Sequence, residues 1–275
     1  MRHCGLPMRT FVRTAILPGM SDETPPVLPG CEPWSHVAAP GAPGALVIHG
    51  FTGAPTSMRG LADAFAAAGF HVELPRLPGH GTTVDDMMTT SWADWSAAAE
   101  AAYQQLRRRT DEVVVVGLSM GGSLTLRLAA DHPEIAGIVC VNPATRPQPD
   151  EMIEAIRGMV AAGTETLPAI GSDIADPDVT EVAYDATPLR PLLSLMIDGL
   201  TPLAAAIPSI TVPLLLCSSP QDHVVEPAQG DFLAESYGGP VERITLERSY
   251  HVATQDHDKG LIEERSVEFA RRVTA

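Results

Sequence analysis

A chain of 275 residues, of which 45% are apolar and 19% charged, is long enough for one large domain with or without an insertion. Its 34 acidic residues outnumber its 18 basic residues, and the formal net charge of −16 repels nucleic acids and anionic lipid headgroups. We therefore exclude nucleic acid as a partner.

The four cysteines, Cys4, Cys31, Cys140 and Cys217, form neither a C-x-x-C pair nor a disulfide framework. This usage is typical of a reducing compartment, so we expect the protein to be cytoplasmic. No run approaches the roughly 18 apolar residues of a membrane span, which predicts no stable insertion into a membrane. Residues 1–26 lack the apolar stretch of a signal peptide and are predicted to be a poorly structured extension.

The next part of the chain alternates short apolar runs with an amphipathic stretch. Residues 25–44 are rich in Pro and Gly, which predicts coil with at most one edge strand. Residues 45–49 are a short, largely apolar run that predicts a buried strand, and residues 70–74 predict a second strand. Between them, residues 58–69 carry apolar side chains at helical spacing and end on a glycine, which predicts a helix.

The same alternation continues to the end of the chain. Residues 91–109 predict a helix with Ser91 as its N-cap, and the four valines at 113–116 predict a central strand buried on both faces. Further helices are predicted at 121–131, at 229–237 and at the C-terminus, and further strands at 135–141, 212–218 and 241–246. Strands that alternate with helices indicate an α/β fold, with a mostly parallel central sheet flanked by helices.

Residues 145–208 interrupt this alternation. They contain no confident strand, but residues 152–160 and 189–203 are apolar stretches that predict helices. We interpret the segment as a helical cap inserted into a core formed by residues 27–144 and 209–275, because a structureless loop of this length is uncommon unless it is functional. The alternative is a pair of surface helices that bury their apolar faces on the sheet.

A G-x-S-x-G sequence runs from Gly117 to Gly121 and contains Ser119. It follows the valine strand and opens a helix, which is the context of a nucleophile elbow. Such an elbow projects the serine hydroxyl above the C-terminal edge of the sheet, where the helix N-terminus favours developing negative charge. The alternative is a glycine-rich turn that contains an incidental serine.

A serine hydroxyl needs a general base, and the base needs a carboxylate that orients it. In sheets with a nucleophile elbow, the acid and then the histidine follow the serine along the chain. Asp222 lies in the loop after the strand predicted at 212–218, and His251 lies in the loop after the next strand. The sequence therefore predicts Ser119, Asp222 and His251 as a catalytic triad.

Four other residues lie in the same part of the chain and are rival candidates. His223 and His257 are the rival bases, but His223 is adjacent to Asp222, and neighbouring side chains usually point apart. The rival acids are Asp256 and Asp258, which we expect to be solvated.

An oxyanion requires two backbone N–H donors. Met120, the residue after the serine, is the first candidate. Phe51 is the second, because it lies between Gly50 and Gly53 in the loop after the first core strand, and its ring is expected to line the acyl pocket. The alternative is that the glycines of this loop serve only to form a turn.

With these residues placed, the chain resembles the bacterial carboxylesterase and monoacylglycerol lipase family of α/β-hydrolases, from about residue 27 to the end. The resemblance is carried by the oxyanion loop His49-Gly50-Phe51-Thr52-Gly53, the turn Arg76-Leu77-Pro78-Gly79-His80-Gly81, the elbow Gly117-Leu118-Ser119-Met120-Gly121-Gly122, the acid segment Asp222-His223-Val224-Val225 and the histidine segment Ser249-Tyr250-His251-Val252.

The resemblance implies the α/β-hydrolase fold, an acyl-enzyme on Ser119, no metal and no cofactor. It implies small-molecule substrates such as short- to medium-chain esters or monoacylglycerols. Caps set substrate choice in this family, so Leu192, Leu193 and Met196 join Phe51 as candidate substrate-binding residues. The alternatives are a thioesterase, lactonase or carbon–carbon bond hydrolase with the same triad, and a non-catalytic binding protein on the same fold.

Overall fold

The structure is a computed structural model that describes residues 25–275, so nearly all of the predicted extension at 1–26 lies outside the described residues. The strands within the described part are β1 (Trp34–His36), β2 (Gly44–Ile48), β3 (His71–Leu74), β4 (Val113–Leu118), β5 (Gly137–Val141), β6 (Thr166–Pro168), β7 (Ala186–Pro188), β8 (Leu214–Ser218) and β9 (Val241–Thr245). The helices are α1 (Arg59–Ala67), α2 (Val84–Met87), α3 (Trp92–Arg107), α4 (Met120–Asp131), α5 (Asp150–Ala161), α6 (Leu189–Ser194), α7 (Thr201–Ala206), α8 (Ala228–Ser236) and α9 (Lys259–Val273), with a π-helical turn at Leu195–Leu200 between α6 and α7.

Seven strands form the central sheet in the order β1-β3-β2-β4-β5-β8-β9. Six of them are parallel, and β1 pairs antiparallel with β3 at the edge. This arrangement confirms the predicted α/β fold with a mostly parallel sheet. The valine strand β4 lies at the centre, between β2 and β5, and all of its residues are buried.

Two apolar clusters cover the two faces of this sheet. Val113 and Val115 point to the face covered by α3 and α4, where Trp95 is fully buried. Val114 and Val116 point to the other face, which α1 and α9 cover. Because successive side chains of a strand alternate between faces, a run of valines fits only a strand with apolar layers on both sides.

The helix α3 begins as its sequence predicts. Ser91 is the N-cap, and the carboxylate of Asp94 accepts hydrogen bonds from the N–H and the hydroxyl of Ser91, 2.9 and 2.7 Å away. The carboxylate of Asp94 therefore gives the Ser91 N–H an acceptor at the helix start, where helix carbonyls are not available.

Residues 145–208 contain α5, α6 and α7, as the apolar stretches predict, but they also contain an antiparallel hairpin of β6 and β7. The predicted helical cap contains no confident strand, so this hairpin was not predicted. Both strands have only three residues and each ends on a proline, so they show neither the length nor the alternation by which strands are recognised. Ile156, Leu189 and Met196 form a small apolar cluster of their own inside the segment.

The helical run Leu189–Ser209 is long and apolar enough to cross a membrane by length and composition alone, and about a third of its most apolar window is buried. The prediction that no run approaches span length is therefore wrong. The run reaches this length because the helix continues through Pro202 and Pro208. Its buried side chains Leu200, Leu203 and Ile207 pack in the core cluster on the α3 and α4 face of the sheet, as the helices of a folded core do.

Candidate active site

Ser119 lies in the tight turn between β4 and α4 and has a left-handed backbone conformation, with φ at +56°. A Cβ at Gly117 would lie 2.1 Å from the carbonyl oxygen of Gly121, and a Cβ at Gly121 would lie 2.2 Å from the carbonyl oxygen of Ile48. Only glycine fits both positions, so the glycines of the G-x-S-x-G sequence allow strand and helix to pass this closely. The geometry is that of the predicted elbow.

The imidazole of His251 pairs with the carboxylate of Asp222, with Nδ1 and Oδ2 2.8 Å apart. The other carboxylate oxygen, Oδ1, accepts the N–H groups of Val224 and Val225 at 2.9 and 2.8 Å, which fixes the carboxylate and leaves Oδ2 for the histidine. Both side chains are buried, with exposed fractions of 8% for His251 and 2% for Asp222. A buried, oriented pair of this kind can hold an imidazole in one tautomer.

The backbone of His251 is held on both sides. Its N–H donates to Oδ2 of Asp173 at 3.0 Å, and its carbonyl oxygen accepts from Nδ2 of Asn142 at 2.8 Å. Asn142 follows β5 in a left-handed conformation, with φ at +43°. Its Oδ1 also accepts the N–H of Ser219, which begins the loop that follows β8 and carries Asp222, here called the acid loop.

The rival histidines lie elsewhere. The imidazole of His223 is 56% exposed and faces the carboxylate of Asp173 at 2.8 Å, and that of His257 is 42% exposed and lies 3.9 Å from Asp176. Among the described residues, His251 is the histidine that pairs with Asp222, as predicted.

The rival acids are buried, so the expectation that Asp256 and Asp258 are solvated is wrong. Asp256 is fully buried and accepts four backbone N–H groups. Asp258 is 4% exposed; burial raises its pKa, but hydrogen bonds from Arg248 and Ser249 outweigh burial and leave the pKa below its ordinary value. Both carboxylates therefore accept backbone N–H groups of the loop between β9 and α9 that carries His251, here called the histidine loop.

Both predicted oxyanion donors, Phe51 and Met120, line the cavity that contains the serine. Met120 begins α4, so its N–H belongs to the first helical turn, where no helix carbonyl accepts it. A Cβ at Gly50 would lie 3.3 Å from the Cβ of Ser119, which shows how closely the loop approaches the serine.

Three hydrogen bonds fix the loop that carries Phe51. Nε2 of His49 lies 3.1 Å from the N–H of Leu77 and accepts it, so Nδ1 carries the proton and donates to the carbonyl oxygen of Gly50. Burial lowers the pKa of His49 to about 3, which keeps this imidazole neutral. The N–H of Tyr184, from the inserted segment, donates to the carbonyl oxygen of Thr52 at 3.1 Å.

One cavity of about 630 Å³ contains Ser119 and His251, and its walls are largely apolar. Three of the predicted substrate-binding residues, Phe51, Leu192 and Met196, line it. Leu193 does not, and packs instead against the apolar cluster inside the inserted segment, so this prediction is wrong.

Four charged residues line the cavity: Arg146, Asp173, Glu181 and Glu226. The sequence motifs pointed to none of them, because all lie outside the motif segments. Burial raises the pKa of Glu181 to about 7, although the nearby His251 acts in the opposite direction.

We expect Glu181→Gln to stabilise the protein more at alkaline than at acidic pH. Burial raises the folded-state pKa from 4.5 to about 7, so ionisation of Glu181 disfavours the fold as the pH rises from 4.5 through 7. The gain in the free energy of unfolding should grow from about 1.5 kcal/mol at about pH 5.5 to about 3.5 kcal/mol at about pH 8.5. Urea unfolding of both proteins at the two pH values measures it, and a pH-independent difference would contradict the burial argument.

The alpha/beta hydrolase family model matches residues 45–264. A thermostable monoacylglycerol lipase of Bacillus sp. (strain H-257) is 45% identical over 248 residues, which are 89% of this chain and 96% of that lipase. A solved structure reported for the metagenome-derived lipolytic enzymes LipS and LipT is 42% identical, covers 90% of this chain and 100% of its own, and superposes with a TM-score of 0.84. The structure of Paleococcus ferrophilus monoacylglycerol lipase is 20% identical, covers 85% of this chain and 96% of its own, and shares the fold with a TM-score of 0.67.

The family model matches more than half of the chain, and the 45% identity extends over 89% of it. Both findings confirm the resemblance inferred from the motifs. The chain belongs to the α/β-hydrolase family, among its carboxylesterases and monoacylglycerol lipases.

Proposed function

We propose that the protein is a serine carboxylesterase that hydrolyses short- to medium-chain esters of uncharged alcohols, including monoacylglycerols. The observation that carries the proposal is the elbow serine, Ser119, in an apolar cavity that it shares with His251, whose imidazole is 2.8 Å from Asp222. The identity of 45% to a monoacylglycerol lipase supports the same class of substrate.

In the proposed reaction, His251 accepts the proton of the Ser119 hydroxyl as its oxygen attacks the ester carbonyl. Asp222 orients the imidazole and stabilises the imidazolium that forms. The N–H groups of Phe51 and Met120 donate to the oxyanion of the tetrahedral intermediate. The intermediate expels the alcohol, which takes the proton from His251, and water then hydrolyses the acyl-enzyme by the same steps.

The charges around the cavity favour neutral substrates. Three of the four charged lining residues, Asp173, Glu181 and Glu226, are acidic, and the fourth is Arg146. Acyl-coenzyme A thioesters carry phosphates and many substrates of carbon–carbon hydrolases carry carboxylates, and both are repelled by this lining. The carboxyl of Glu181 can instead hydrogen-bond to the hydroxyls of an alcohol such as glycerol. It accepts a hydrogen bond when it is ionised, and it can also donate one when it is protonated.

The test combines labelling with a substrate series. A fluorophosphonate probe should label Ser119, which separates an enzyme from a non-catalytic binding protein. Rates should then be measured for p-nitrophenyl esters from acetate to palmitate, for monoacylglycerols, lactones and acyl-coenzyme A thioesters. Faster turnover of the thioesters or lactones than of any ester would overturn the proposed substrate class.

We expect the inserted segment to set the preference for acyl-chain length. Leu192 lines the cavity and its neighbour Leu193 does not, so the two positions form a matched pair. Leu192→Trp should lower kcat/KM for long-chain p-nitrophenyl esters about tenfold and leave the acetate ester nearly unchanged, because added volume excludes only the longer chain. Leu193→Trp should leave the chain-length profile unaltered. An equal loss of kcat/KM for all esters in Leu192→Trp would mean that the Leu192 side chain supports the packing of the segment and does not contact the acyl chain.

We also propose that the protein works in the cytoplasm. Cys31, Cys140 and Cys217 are free and buried among the described residues, and burial raises the pKa of each thiol, which makes them inert apolar side chains rather than redox groups. Fractionation of the source cells, with activity followed by the fluorophosphonate probe, tests this location.

A further inference from the structure

The inserted segment contributes a buried carboxylate to the region that holds the triad. Oδ2 of Asp173 accepts two backbone N–H groups, from His251 at 3.0 Å and from His223 at 3.1 Å. Its Oδ1 lies 2.8 Å from Nδ1 of the His223 imidazole. The side chain of Asp173 is 9% exposed, so these hydrogen bonds form in a site that water reaches poorly.

Asp173 is attached to the histidine loop by its backbone as well, because its carbonyl oxygen accepts the N–H of Val252 at 3.0 Å. A second buried carboxylate, that of Asp256, accepts the N–H groups of Ala175 and Asp176 at 2.7 and 3.1 Å. Residues 173–176 of the insertion therefore both accept hydrogen bonds from the histidine loop and donate hydrogen bonds to it.

The two loops joined by Asp173 are those that carry the proposed acid and base. They follow the neighbouring strands β8 and β9, whose pairing ends at Ser218 and Thr245, so the strand ladder does not extend to Asp222 or His251. The 2.8 Å contact between Asp222 and His251 thus depends on contacts beyond the sheet. Oδ2 of Asp173 provides such a contact, because it accepts one N–H from each loop. Asp173 belongs to the inserted segment, so this contact comes from outside the core.

Given the function proposed above, we propose that Asp173 is a positioning residue for ester hydrolysis, whose carboxylate holds the acid loop and the histidine loop together. It touches no reacting atom in this role. It keeps the His251 imidazole at hydrogen-bonding distance from the Asp222 carboxylate, and it ties the inserted segment to the triad. The core side is held independently, by Asn142 on the carbonyl oxygen of His251.

Asparagine distinguishes the hydrogen bonds of Asp173 from its charge. Asp173→Asn keeps one oxygen that can accept both backbone N–H groups, and its amide can donate to a neutral His223 imidazole. Asp173→Ala removes the acceptor and leaves two buried N–H groups without a partner. The matched control is Asp176→Ala, since Asp176 belongs to the same stretch and its carboxylate accepts only the N–H of Asp178 among the described residues, besides lying 3.9 Å from His257.

The experiment measures kcat and KM of the full-length protein on p-nitrophenyl butyrate, with melting temperature recorded for each variant. We expect Asp173→Ala to lower kcat about tenfold to a hundredfold, because misplacement of a catalytic group by about 1 Å has that effect. KM should change by less than about threefold, since the contact does not bind substrate. Asp173→Asn and Asp176→Ala should keep kcat within about threefold of the original protein.

A proton NMR signature separates positioning from general destabilisation. The downfield resonance of the His251 Nδ1 proton, shared with Asp222, should persist in Asp173→Asn and broaden or vanish in folded Asp173→Ala. If Asp173→Ala does not fold, Asp173→Ser replaces it, because a serine hydroxyl is too short to reach both N–H groups, and the same loss of kcat is expected. An unchanged kcat and an unchanged resonance in the folded variant would overturn the proposal. If the unaltered protein is not labelled by a fluorophosphonate and hydrolyses no ester, the proposed function fails instead.

Discussion

Ser119→Ala should lower kcat for ester hydrolysis by about 10⁶-fold, the effect seen when a serine hydrolase loses its nucleophile. Without the hydroxyl no acyl-enzyme forms, and only the oxyanion donors and substrate binding remain to accelerate attack by water. The measurement is kcat on p-nitrophenyl butyrate with highly purified protein, together with loss of fluorophosphonate labelling.

The fold should survive this substitution. Ser119 already occupies a left-handed conformation, with φ at +56°, and alanine places the same Cβ there, so little new backbone strain is added. Ser96→Ala on α3 is a suitable control, because among the described residues its buried hydroxyl has no hydrogen-bond partner. A Ser119→Ala protein that retains about a tenth of the original kcat would rule out Ser119 as the nucleophile.

The parts of the fold that local sequence determines were predictable. A run of valines fits only a strand buried on both faces, and the elbow needs glycines at 117 and 121 because backbone atoms lie within about 2.2 Å of where their Cβ atoms would be. Chain order after the serine then selects Asp222 and His251 for reasons of topology, since the C-terminal ends of neighbouring parallel strands meet at one edge of the sheet.

The inserted segment was predicted less well because its contacts are distant in sequence. Asp173 and Asp256 accept hydrogen bonds from backbone N–H groups in other parts of the chain. Asp256, which is expected from the sequence to be solvated, is buried because these donors surround its carboxylate. Leu193 was assigned to the cavity because it belongs to the apolar stretch of the predicted cap. The composition of such a stretch does not show which of its residues face a cavity, and Leu193 packs instead against the apolar cluster inside the inserted segment.

His251→Ala should be nearly as damaging as loss of the serine, with kcat reduced by about 10⁵- to 10⁶-fold, because a serine hydroxyl near neutral pH is not a nucleophile without its base. The members of a triad act as a unit, so the double variant with Ser119→Ala should be no slower than either single variant. The measurement is again kcat on p-nitrophenyl butyrate, now with added imidazole as a chemical substitute for the missing base.

The neighbouring histidines provide the control for this assignment. His223→Ala and His257→Ala should each lower kcat by less than about tenfold. His223 contacts Asp173 rather than Asp222, its side chain is 56% exposed, and that of His257 is 42% exposed at the rim of the histidine loop. A general base must instead lie in the cavity with the nucleophile and be oriented by a carboxylate, and among the described histidines His251 meets both conditions. An inactive His257→Ala protein beside an active His251→Ala protein would show that the base is His257, and the pairing of His251 with Asp222 would then serve structure alone.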